Sequence, residues 1–107
     1  MRVVLETPQG THLIDCREGE FIWDAAARSG VTLPAICHQG RCLTCASRLI
    51  EGEVDQSKAD AYYPEDRAAA FVLVCTAVPL TAVVLRTHQE REMRRHRIAL
   101  GLPAPYA

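Results

Sequence analysis

Three cysteines lie within the stretch CHQGRCLTC, Cys37 to Cys45, at the spacing C-x4-C-x2-C, and a further cysteine, Cys75, stands well downstream. A loop that commits three thiols must be shaped around whatever they hold, so this feature constrains the chain more than any other. Zinc, a disulfide, redox thiols and an iron–sulfide cluster are the chemistries open to them. The chain has five cysteines, an odd number, which argues against a simple disulfide framework. The N-terminus, MRVVLETPQG, has neither the apolar core of a signal peptide nor a transit-peptide composition. The expected location is therefore the cytoplasm, a reducing compartment where clustered cysteines more often bind metal than pair.

A length of 107 residues suits one domain with one modest core, and a composition 49% hydrophobic and 23% charged predicts a globular chain. The formal net charge of -1 gives no basic footprint for nucleic acid. No apolar run approaches the roughly 20 residues that span a bilayer, so no membrane insertion is expected. Arg2 to Thr7 reads as a strand, Pro8-Gln9-Gly10 as a turn and Thr11 to Cys16 as the return strand of a hairpin. Phe21 to Ser29 has helical spacing, with Ile22, Ala25, Ala26 and Ser29 on one face and Gly30 as terminator. Beyond the cysteine loop, Ala46 to Glu53 predicts a strand, Asp55 to Ala61 a polar loop and Pro64 to Ala70 a short helix. Phe71 to Val78 and Leu80 to Thr87 read as two further strands. Together these make a small α+β domain.

With Cys75 as a distant fourth ligand, the C-x4-C-x2-C…C pattern matches plant-type [2Fe–2S] spacing. Two irons bridged by two sulfides need four thiolates; a wrapping loop supplies three and a remote rigid element the fourth. Gly40 sits where the loop must turn tightly against the cluster. Structural zinc favours paired short spacings and fits poorly. The C-x-x-C here lacks the βαβ setting of a thioredoxin-like motif.

More of the chain follows one pattern in order: DAA at Asp24 to Ala26, LP before the loop, C-x2-G-x-C-x-T-C at Cys37 to Cys45, G-x-VDQS at Gly52 to Ser57, VL-x-C at Val72 to Cys75 and THQE at Thr87 to Glu90. On these motifs the chain resembles the plant-type [2Fe–2S] ferredoxins, from Val3 to about Met93. The resemblance implies a β-grasp fold, a mixed sheet over one main helix. It implies a [2Fe–2S] cluster with Cys37, Cys42, Cys45 and Cys75 as iron ligands. It also implies a monomeric one-electron carrier, not an enzyme, that exchanges electrons with redox protein partners such as a reductase or a ferredoxin-dependent enzyme.

The departures from that family bear on tuning and on partners. The usual loop, Cys-Arg-Ala-Gly-Ala-Cys-Ser-Thr-Cys, is altered here to His38, Gln39, Arg41 and Leu43. Leu43 removes a hydroxyl and should lower the potential; Arg41 adds a cation and should raise it. His38 is a candidate for pH modulation of the potential. Family members serving ferredoxin–NADP reductase carry an aromatic residue where this chain has Ala61, and a glutamate matching Glu90. Here the aromatics come at Tyr62 and Tyr63, the acids that follow are reduced to Glu65 and Asp66, and Ala27 and Arg28 replace two acids in the helix. Tyr62, Tyr63 and Glu90 are thus the docking candidates, and partners other than the usual reductase are expected.

Ordinary members end near Arg94, which divides the chain into a ferredoxin domain, 1–94, and a C-terminal extension, 95–107. The segment from Glu90 to Leu100 is locally basic and predicts a helix with Met93, Ile98 and Leu100 toward one side, ended by Gly101. The extension is expected to help choose the partner. Cys16, on the second strand, reads as a small buried hydrophobe. Two other functions stay open on sequence grounds, a redox- or iron-sensing regulator that uses the cluster as a signal and a zinc-held interaction module.

Overall fold

The computed structural model describes residues 1–106. The N-terminal hairpin forms as predicted: β1 (Arg2–Thr7) and β2 (Gly10–Asp15) pair antiparallel, with Val3 opposite Ile14 and Thr7 opposite Gly10. Period-two alternation turns Val3 and Leu5 inward, both fully buried. Helix α1 (Ile22–Arg28) buries Ile22, Ala25 and Ala26. Two alanines on the buried face let the helix lie close to the sheet.

After the cysteine loop come β3 (Ala46–Glu51), β4 (Val54–Asp55), α2 (Pro64–Ala68), β5 (Phe71–Leu73), β6 (Val78–Pro79), β7 (Val83–Arg86) and α3 (Glu90–Ala99). The main sheet has the order β2-β1-β7-β3-β5, with β1 and β7 parallel and its other pairs antiparallel. β4 and β6 form a separate two-stranded ribbon. One core joins α1 to the sheet through Ile22, Ala25, Leu5, Leu73, Val83 and Leu85. This is the α+β, β-grasp arrangement that the resemblance implies.

The predicted strand from Phe71 to Val78 is shorter than the apolar run suggests. It leaves the sheet after Leu73 and turns through Val74 and Cys75. That turn receives the N-terminus of α1: Ile22 N–H donates to the Ala77 carbonyl at 2.9 Å and Trp23 N–H to that of Val74 at 3.0 Å. The helix has no side-chain N-cap, so carbonyls of the turn satisfy amides that a cap would otherwise take. Gln56 braces the same corner: its Nε2 donates to the Leu73 carbonyl at 3.3 Å, and its Oε1 accepts from Leu73 N–H at 2.6 Å.

Helix α3 runs through position 94 without a break and lies against α2 and β3. Met93 is fully buried, whereas Ile98 is 65% and Leu100 52% exposed. The apolar side expected for this helix is therefore corrected: Met93 shares its buried face with Arg97, four residues on, while 3.6-residue periodicity turns Ile98 away from that face and Leu100 lies past the last helical residue.

Arg28 is engaged locally, donating to both carboxylate oxygens of Glu20 at 3.1 and 2.7 Å and to the Asp15 carbonyl at 2.8 Å. These bonds hold the Glu20 carboxyl down at about 2, from an ordinary 4.5. A depressed carboxyl contributes stability above its unfolded value and loses it as pH falls toward the folded value. Glu20→Gln should therefore flatten the fall of the unfolding midpoint as pH drops below 4.5, measured by far-UV circular dichroism.

Candidate metal centre

Residues 36–45 wrap as a succession of bends and turns. Cys42 and Cys45 are 1% and 2% exposed, Cys75 is 4% exposed, and Cys37 is half-buried. Gln39 and Cys42 each direct a backbone N–H at the Cys37 sulfur, at 3.4 Å. Burial pushes the Cys37 thiol up, but the N–H groups of Cys42, Gln39 and Arg41 outweigh it and bring the thiol down to about 6. A hydrogen bond with Cys75 lowers the Cys45 thiol, and the same contact raises Cys75. All three loop sulfurs act electrostatically on Cys75. The loop thus carries three of the cysteines, and the turn after β5 carries the fourth.

Gly40 is what lets this loop close. Its φ is +72°, and a Cβ built there would lie 2.6 Å from both Ala59 Cβ and Thr76 Oγ1. The loop also pairs with the following segment, Asp60 N–H donating to the Gln39 carbonyl and Ala61 N–H to that of Gly40, both at 2.9 Å. Gly40→Ala should remove most cluster incorporation, because the new methyl meets backbone on one side and a wrong φ on the other. Iron per purified chain measures this, and full occupancy would contradict it.

The donor set fits two irons better than one zinc. A structural zinc ion needs four ligands around a single point, whereas four thiolates shared by two irons supply two to each. Thiolates, amides aimed at sulfur and a near-dry setting suit a [2Fe–2S] cluster.

A family model for the 2Fe-2S iron-sulfur cluster binding domain matches residues 6–80, which include Cys37, Cys42, Cys45 and Cys75. The chain belongs to this family. Ferredoxin-2 of Synechococcus sp. is 42% identical over 74 residues, which cover 69% of this chain and 70% of the relative. The chloroplastic ferredoxin-6 of Zea mays is 37% identical over 93 residues, or 86% of this chain and 60% of the relative. A solved Amycolatopsis cytochrome P450 reductase superposes with a TM-score of 0.70 at 33% identity, covering 80% of this chain and 26% of that one. The chain thus spans less than two thirds of the maize protein and about a quarter of the reductase. It carries a ferredoxin-type domain that takes a [2Fe–2S] cluster.

The remaining candidates fall in different settings. His38 and Arg41 are exposed on the loop. His38 has φ +57° and sets its ring edge-on to Trp23, centroids 4.7 Å apart, while Trp23 Nε1 donates to the Leu33 carbonyl at 2.9 Å. Leu43 is fully buried in the hydrophobic core. Tyr62 is half-buried, its hydroxyl donating to the Phe71 carbonyl, and burial pushes that hydroxyl up to about 12. Tyr63 lies beneath the Arg97 guanidinium, 4.8 Å from its ring centre. Glu90 accepts from Arg94 at 2.9 Å and stays partly exposed. No helix among the described residues is long and apolar enough to cross a membrane. Cys16 is fully buried and donates to the Glu20 carbonyl at 3.1 Å.

Sequence reading missed Asp66 and Arg97, both without solvent exposure and paired at 2.8 Å. The one available signal was the four-residue step from buried Met93.

Proposed function

We propose that Cys37, Cys42, Cys45 and Cys75 ligate the cluster and that the chain shuttles single electrons to partners other than the usual ferredoxin–NADP reductase. The ligand reading is supported by the four cysteines' lying within the matched 2Fe-2S domain at plant-type spacing, three of them buried. When bound, the cluster supplies one-electron chemistry at low potential. The chain's own residues do the rest. The loop and the turn after β5 present the thiolates, and the amides of Gln39 and Cys42 favour negative charge on the Cys37 sulfur. Leu43 and Ala46 keep water from the inner side, both buried.

The partner reading rests on charge. Next to the site, the exposed loop carries His38, Gln39 and Arg41, and the acids expected on α1 are replaced by an Arg28 tied to Glu20. A surface with fewer acids is steered weakly toward a basic reductase. The likeness to a cytochrome P450 reductase supports an oxygenase-linked redox partner for this chain. Cytochrome c reduction through a plant-type ferredoxin–NADP reductase should run roughly tenfold or more below that of an acidic ferredoxin at low salt. Equal rates would sink the partner reading and leave the ligand set untouched.

A further inference from the structure

Arg97 lies outside the stretch matched by the family model, and no part of its side chain reaches solvent. Burying a guanidinium is expensive, and apolar residues of similar volume often serve stability better. What this one does is make a fork of directed bonds. Nε donates to Asp66 Oδ1 at 3.3 Å, and Nη2 donates to Asp66 Oδ2 and to the Ala61 carbonyl, both at 2.8 Å. Nη1 donates to the Pro103 carbonyl at 3.1 Å. Asp66 Oδ2 also accepts from Tyr63 N–H at 3.0 Å, so the stretch from Ala61 to Asp66 is held at both ends.

That stretch is the seat of the cysteine loop. Ala61, whose carbonyl Arg97 binds, donates its own N–H to the Gly40 carbonyl, and neighbouring Asp60 donates to Gln39. Gln39 in turn donates to the Cys37 sulfur. Built on the ligand assignment above, the geometry points to a new role: Arg97 is a positioning residue that fixes residues 60 and 61, and through them the amides aimed at Cys37. The C-terminal helix thereby helps set the potential without touching the site. Hydrogen bonds to cluster sulfurs favour the more negative, reduced state, so loosening this seat lowers the potential.

Arg97→Lys keeps the charge beside Asp66 but cannot donate to both carboxylate oxygens and the Ala61 carbonyl at once. The variant should keep its irons, show a midpoint potential below wild type, and lose the cluster to a chelator at least about tenfold faster, the factor that one charge-assisted hydrogen bond carries. Met93→Ala, a cavity one turn back on the same buried face that removes none of the fork's donors or acceptors, is the control. It should lower the unfolding midpoint at unchanged potential. An unchanged potential in Arg97→Lys, or an equal shift in Met93→Ala, overturns the proposal. Should Arg97→Lys not assemble, deuterium uptake of the unaltered protein in rising denaturant decides. Residues 59–61 should open together with α3, and their opening while α3 stays protected rejects the coupling. The ligand assignment stands or falls separately, on iron content in the cysteine variants.

Discussion

Cys75→Ser should yield a folded, nearly colourless chain, with iron per chain and the visible charge-transfer bands reduced to a small fraction of wild type. Cys75 is 4% exposed in a turn clamped by α1 and braced by Gln56. The turn cannot swing another donor into its place. A serine oxygen is a hard, weakly acidic ligand that replaces a thiolate poorly on iron. The remaining cysteine, Cys16, is buried in the core and bonded to the Glu20 carbonyl, so it offers no rescue. Cys16→Ala is the matched control and should retain full iron content with a modest loss of stability. Far-UV circular dichroism separates misfolding from failed assembly. A Cys75→Ser chain with two irons and an unaltered spectrum would falsify the ligand set.

The contrast between these cysteines shows what the sequence could express. Ligand spacing along the chain is local, so the loop and Gly40 were legible, and so were the hairpin and α1 from alternation and helical period. The end of β5 was not. Phe71 to Val78 is uniformly apolar, and only tertiary contact with α1 tells where the strand stops and the turn bearing Cys75 begins. The parallel pairing of β1 with β7 joins the two ends of the sequence and leaves no local trace. β4 and β6 have two residues each, too few for any period. Asp66 looked like one of two acids opening a helix, and Arg97 like one arginine of a basic stretch. Hydropathy cannot single out a charged pair destined for the interior, because burial of charge depends on a partner distant in sequence.

That pair carries the second large expectation. Asp66→Ala should cost about 3–5 kcal/mol, since it leaves the Arg97 guanidinium buried without its counter-charge. In a domain of this size that lowers the unfolding midpoint by roughly 15 °C or more. It also frees Tyr63 N–H at the start of α2, which Asp66 Oδ2 accepts. The double change Asp66→Leu with Arg97→Met should recover much of the loss, because neither partner is then left charged and the volume stays filled. Thermal unfolding followed by far-UV circular dichroism and by visible absorbance reads both. If Asp66→Ala unfolds within a few degrees of wild type, the pair is not a desolvated one. If the double variant recovers the midpoint yet keeps a lowered potential, the two effects separate: charge balance sets the stability, and the directed bond from Arg97 to the Ala61 carbonyl sets the geometry of the loop.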